Sequence, residues 1–179
     1  MKELTRLITE ATAGISESYF RLNIDGGDPA YRERVYCYEL YHQLRVIWPE
    51  TEYYLNGEVD KAGHHKFKRM LARGSKPDLL VHRPGYMKGN HTIIEVKTEE
   101  AHRGDIKKDI EKLSLFVNEV GYKRAIYLFF GYGLNDSDLL QVIKRESCGI
   151  EGLAPIEIWF HDSHDKPATK KVEMIGADL

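Results

Sequence analysis

The chain has 179 residues, 42% hydrophobic and 30% charged, with 26 Lys and Arg against 28 Asp and Glu. That is the size of one globular domain with a substantial core, and a net charge of −2 argues against indiscriminate binding to nucleic acid. No stretch approaches the roughly 20 apolar residues of a membrane span and Met1-Lys2-Glu3 does not open a signal peptide. Cys37 and Cys148 lack metal-ligand spacing, so a cytoplasmic protein with two buried free thiols is expected.

Leu4, Leu7, Ile8 and Ala11 recur at helical spacing and predict an N-terminal helix ahead of a linker, Asn23-Ile24-Asp25-Gly26-Gly27. Asp28-Pro29 has the chemistry of a helix start, Asp as N-cap and Pro at the first position. The helix it opens runs from about Ala30 to Val46, with Cys37, Leu40, Tyr41, Leu44 and Trp48 as its apolar stripe. Tyr36, Tyr38, Tyr41, Tyr53 and Tyr54 are read as core rather than as a base-stacking platform. Glu52-Tyr53-Tyr54-Leu55 predicts a first strand, ended by Asn56-Gly57.

An acid-free basic block follows between Lys61 and Lys76, with Lys66, Lys68, Arg69 and Arg73 among its cations. It leads directly into Pro77-Asp78, and salt-dependent contact with a phosphate backbone is the expected use; a solvated insertion is the bland alternative. Arg103 to Val120 is an amphipathic helix with Ile106, Ile110, Leu113 and Val117 on one face and Lys108 and Lys112 on its other sides, facing phosphate. Arg124 to Phe130 reads as a strand buried on both faces, Asn135 to Ser147 as a helix and Ile156 to Phe160 as a last strand. The expected fold is α/β, a central mixed sheet of about five strands flanked by helices, in one domain. Residues 1–27 are its N-terminal helix and linker, 28–161 its core and 162–179 a tail, read beyond His164 as a loop with a loosely held edge strand as the alternative.

Two β-prone runs inside this plan carry charge where charge is costly. Lys76-Pro77-Asp78-Leu79-Leu80-Val81-His82 and Thr92-Ile93-Ile94-Glu95-Val96-Lys97-Thr98 flank a turn rich in Pro, Gly and Asn, and predict an antiparallel hairpin. A fold-back near Met87 sets Asp78 opposite the Glu95-Val96 pair, and Glu95 and Lys97, two apart, share a face. Charges in such runs are paired, metal-bound or exposed in a cleft. Mg2+ takes oxygen ligands, commonly one or two carboxylates with water and phosphate, so Asp78 and Glu95 suit it; Lys97 suits the developing charge on a phosphate.

Pro77-Asp78 followed by Glu95-Val96-Lys97 resembles the signature of the PD-(D/E)XK nuclease superfamily, the restriction-endonuclease-like fold, over roughly Ala30 to His161. The resemblance implies a nuclease acting on nucleic acid, DNA before RNA, with Mg2+ or Mn2+ held by Asp78, Glu95 and the Val96 carbonyl, and Lys97 as the catalytic amine. It also suggests Glu39, on the flank of its helix, as a further metal ligand, the alternative being an ordinary exposed glutamate. A homodimer is expected, since cutting a duplex takes two sites. The competing expectation is a catalytically idle nucleic-acid-binding or protein-interaction module on the same fold.

Overall fold

In the computed structural model, which describes residues 3–58 and 76–174, Leu4, Leu7, Ile8 and Ala11 are all buried on one face of the first helix, α1 (Leu4–Ala13). Thr12 ties that helix to the far end of the chain: its hydroxyl donates to the Ile8 carbonyl and accepts from the Ala168 amide, both at 2.8 Å. A short helical turn, α2 (Glu17–Phe20), buries Phe20.

Asp28 and Pro29 do not start the next helix. Leu22 and Ala30 exchange two backbone hydrogen bonds of 2.9 Å, which closes residues 22–30 into a turn with Gly26 in the left-handed region at φ +72°. With its amide and carbonyl spent on that bridge, Ala30 is extended, and α3 runs Glu33–Val46 with Arg32 as its N-cap. Its buried stripe is Tyr36, Cys37, Leu40 and Leu44, with Tyr41 and Trp48 packed beside it.

Six strands form one sheet in chain order, rather than about five: β1 (Tyr54–Gly57), β2 (Leu79–His82), β3 (Asn90–Thr98), β4 (Arg124–Phe130), β5 (Ile156–His161) and β6 (Thr169–Met174). β2 pairs antiparallel with β1 on one side and β3 on the other, β3, β4 and β5 are parallel, and β6 returns antiparallel as the far edge. The parallel steps need crossovers, supplied by α4 (Arg103–Asn118) and α5 (Asp136–Ser147). Asn135 caps α5, its side chain accepting the Asp138 amide.

Alternation along the strands divides the core into two layers. Ile94, Val96, Ile126, Leu128 and Phe130 pack toward α1 and α3; Ile93, Tyr127 and Phe129 pack toward α4 and α5. β4 is buried throughout from Ala125 to Phe130, as its unbroken apolar run requires. At the strand ends Tyr36 stacks on Phe130 at 3.9 Å, and its hydroxyl lies 2.7 Å from His161 Nδ1. Burial holds the His161 imidazole down at a pKa of about 4 and the Tyr36 phenol well above its usual value, so the hydrogen bond joins two neutral groups.

Three surface assignments differ from expectation. Cys37 is buried but Cys148, just past α5, is exposed. Tyr38 and Tyr54 are 62% and 55% exposed rather than core. Lys66, Lys68, Arg69 and Arg73 lie outside the described residues, and Lys76 is exposed just ahead of β2. Among the described residues no helix is long and apolar enough to cross a membrane.

Candidate functional site

The hairpin forms with the anticipated register. Leu79 pairs with Ile94, and continuing that pairing sets Asp78 across from Glu95 and Pro77 across from Val96. Asp78 Oδ2 accepts the Val96 amide at 2.8 Å, so the carboxylate occupies the place of a strand partner just where β2 begins. Proline has no N–H, which leaves no amide opposite the Val96 carbonyl. Asp78, the Val96 carbonyl and Glu95 are thus brought to one end of the β2–β3 pair.

Glu95 points from β3 toward α4 and is nearly enclosed, its side chain 4% exposed. Its Oε1 lies 2.5 Å from Lys112 Nζ, and Lys112 also reaches Asp109 Oδ1 at 3.1 Å. The other oxygen, Oε2, is buried without a hydrogen-bond partner among the described residues, an arrangement that normally costs about 1–3 kcal/mol. Lys97, two residues along the same face, lies 3.0 Å from Glu33 Oε2 and 3.5 Å from Asp109 Oδ2. The Tyr127 hydroxyl donates to that same Asp109 oxygen at 3.0 Å. Asp109 therefore joins the two lysines, while Lys97 bridges β3, α3 and α4.

Among the described residues, Asp78, Glu95, Asp109 and Glu33, if fully ionised, oppose Lys97 and Lys112 alone, four negative charges against two positive. The ionisation of the group reflects this. Burial, then the charge of Asp78, pushes the Glu95 carboxyl well above the ordinary range, against the pull of Lys112. Burial also raises Asp78, opposed by the Val96 amide and by Lys112 and Lys97. Burial works against charge on Lys97, yet Asp109 and Glu33 prevail and hold its ammonium above the usual value. Lys112 behaves the same way, with burial outweighed by Glu95 and Asp109. Even the Cys37 thiol, raised first by burial, is raised further by Asp78, Glu95 and Glu33. The field here is negative.

Asp78, Glu33 and Cys37 line an open pocket of about 570 Å³ between α3 and the β1–β2 edge, with Arg34 and the exposed Tyr38 beside them. A larger groove of about 860 Å³ along α4 is lined by Lys112 and Asp109 but by neither Asp78 nor Glu95. Asp78 and Glu33 open to the first, Asp109 to the second, and Glu95 lines neither.

Several expected residues fall elsewhere. Glu39 is half-buried and accepts from Gln43 Nε2 at 2.7 Å; Gln43 abuts Gly14 at the end of α1, so Glu39 belongs to the α1–α3 contact. Glu33 is the α3 carboxylate that meets the hairpin. Lys112 faces Glu95 and Asp109 rather than solvent, because two nearly buried carboxylates draw its ammonium inward. Lys108 is exposed and paired with Asp105 at 3.1 Å. Asp109 had a sequence signal, since it sits among Ile106, Ile110 and Leu113 on the apolar face of α4; a carboxylate there calls for a partner. Glu33 had one too, four residues before the buried Cys37.

The donor set suits a small divalent cation in one respect and lacks a second feature. Two adjacent carboxylates, one with an orphaned buried oxygen, and a carbonyl facing a proline are oxygen ligands of the type Mg2+ takes with water and phosphate completing its shell. Among the described residues no group of three or more His, Cys, Asp or Glu side chains could hold a metal ion. Compared with protein-family models, curated proteins and solved structures, the chain matches none.

Proposed function

We propose that this chain is a metal-dependent nuclease of the PD-(D/E)XK type, hydrolysing phosphodiester bonds in nucleic acid, DNA before RNA. The observation that carries the reading is the meeting of Asp78, Glu95 and Lys97 at one end of the hairpin, in a cluster whose carboxylates outnumber its cations among the described residues. A mixed sheet with the site hairpin at one side and helices on both faces accords with the restriction-endonuclease-like arrangement. Asp78, Glu95 and the Val96 carbonyl would hold Mg2+ or Mn2+. When bound, such an ion offsets charge on the scissile phosphate and makes a water more acidic.

Lys97 has a defined part in this chemistry. Because Asp109 and Glu33 raise its proton affinity, it remains an ammonium at neutral pH and serves as a cationic hydrogen-bond donor to a phosphoryl oxygen, not as a base. Glu33 and Asp109 fix where that donor points. Arg34 and Tyr38 line the pocket with Asp78 and in this reading would meet the strand beside the cut. The exposed Lys76 and Lys108 remain available to phosphate, whereas Lys112 does not. Cleavage of both strands of a duplex would call for a second copy of the chain.

The alternative, an idle nucleic-acid-binding or protein-interaction module, has one observation in its favour: Lys112 already neutralises Glu95. Incubation with supercoiled plasmid, single-stranded DNA and branched DNA, with Mg2+, with Mn2+ and with chelator, separates the two. Metal-dependent cleavage by the wild type that disappears in Asp78→Ala and Lys97→Ala is the expected outcome. Tight DNA binding by the wild type without cleavage, or cleavage that persists in both variants, rejects the enzyme reading.

The two α3 glutamates provide a finer expectation. Glu33→Gln removes a partner that orients Lys97 and should reduce cleavage by about 10–100-fold, the usual size of such supporting contacts. Glu39→Gln should leave the rate within about twofold, because its partner is Gln43 on the α1 side. Steady-state cleavage rates compare them, and a larger loss in Glu39→Gln would reverse the assignment.

A further inference from the structure

Glu95 is held by a cation that belongs to the protein. Lys112 Nζ lies 2.5 Å from Glu95 Oε1 and 3.1 Å from Asp109 Oδ1, with side-chain exposures of only 13% for the lysine and 4% and 9% for the carboxylates. Lys112 is no part of the hairpin motif; it comes from α4, and its four-carbon stem lets the ammonium move while the backbone stays in place. Asp109 is three residues earlier on the same helix, so it can keep the ammonium when Glu95 is given up. The second Glu95 oxygen is buried and has no partner among the described residues. One oxygen of the carboxylate is therefore claimed and the other, among these residues, is free.

Resting on the metal-dependent reading above, we infer that Lys112 is a positioning residue, an internal counter-cation that holds Glu95 and yields it to an arriving divalent ion, and so sets the affinity of the site for metal. Two cations on one enclosed carboxylate repel each other in a medium of low dielectric constant. A monovalent ion brings no more charge than the ammonium it would replace. A divalent ion brings twice as much, and it also answers the excess of carboxylates over cations in the cluster. Lys112 thus discriminates by charge: it keeps Glu95 paired while the site waits and excludes sodium and potassium. The ion and the Lys112–Glu95 contact are coupled, so each weakens the other by the same factor.

The test is calorimetric titration of the full-length protein with MnCl2 and with MgCl2 at constant pH and ionic strength. Lys112→Met should bind about tenfold more tightly than wild type, a factor within the usual range of such coupling. Lys112→Arg, which keeps the charge, should bind no more tightly than wild type, and Lys144→Met, exposed on α5, should match it. The Lys112 ammonium resonance, followed by nitrogen-detected NMR, should shift as the ion binds the wild type. A merely structural lysine predicts the opposite sign, because a loosened Glu95 binds metal more weakly. If Lys112→Met fails to fold, Lys112→Gln carries the same measurement. Equal or weaker binding by the folded variant, with the wild type still binding metal, overturns the role of Lys112 and leaves the metal site standing. No binding by either protein overturns both.

Discussion

Lys97→Met is expected to lower metal-dependent cleavage by about a thousandfold, the upper end of what one preorganised donor supplies to a developing charge, and to destabilise the fold by about 2–3 kcal/mol. The two effects have separate causes. Cleavage is lost because no other described cation touches both α3 and α4 carboxylates where Asp78 and Glu95 meet. Stability is lost because Asp109, 9% exposed, forfeits one of its two ammonium partners while its contacts to Lys112 and Tyr127 persist. The Glu33 pair adds little to that sum, since Glu33 is 40% exposed and water screens it. Adding Asp109→Asn removes the charge that Lys97 had balanced, and its side-chain oxygen can still accept from Tyr127. The double variant should therefore recover stability without recovering cleavage. Urea melts and initial rates on the four proteins of the cycle measure both. Stability losses that simply add would show that Lys97 and Asp109 are not coupled, and cleavage regained in the double variant would remove Lys97 from the chemistry.

How far the sequence carried this picture depends on how local each signal was. The hairpin was legible because a short turn and period-two alternation leave almost no freedom in register; Asp78, Glu95 and Lys97 followed from it, down to the face that Glu95 and Lys97 share. β4 was legible from its unbroken apolar run. The start of α3 was not, because Asp28-Pro29 carries a valid helix-start signal and the Leu22–Ala30 bridge that overrides it pairs residues eight apart. β6 was legible only as an alternative, a loosely held edge strand in the tail: Thr169-Lys170-Lys171-Val172-Glu173 is exposed along its described length, so it needs little apolar alternation. Lys112 was misread as solvent-facing because its environment is made by β3, and helical periodicity reports only a helix's own apolar stripe. Tertiary electrostatics set that side chain's direction, and they did so through a carboxylate, Glu95, whose own position was already clear.

Glu95→Gln should separate the two functions of that carboxylate through pH. Burial and Asp78 raise the proton affinity of Glu95 in the folded chain above that of an ordinary glutamate, with Lys112 opposing and Asp109 reinforcing the shift. A carboxyl raised on folding contributes stability below its unfolded pKa and loses it as pH rises through the folded value. Metal-free wild type should accordingly lose stability relative to Glu95→Gln as pH climbs from the ordinary carboxylate range, because the amide mimics the neutral acid and cannot ionise. By pH 8 the variant should be the more stable by about 1–2 kcal/mol, within the cost of an unsatisfied buried polar atom, or roughly 2–8 °C in melting temperature for a chain of this size. Magnesium should reverse the order. An ion bound only by the folded wild type adds about 2.7 kcal/mol at a hundred times its dissociation constant, and the amide, a poorer ligand without charge, should gain much less. Melting curves at several pH values, with chelator and with MgCl2, test both halves. A wild type that outlasts the variant in chelator at pH 8 would mean that Lys112 fully compensates Glu95, and equal gains in MgCl2 would mean that the ion binds elsewhere. Crossing curves would instead identify Glu95 as a carboxylate whose folded position is unfavourable by itself and becomes favourable once a cation is bound.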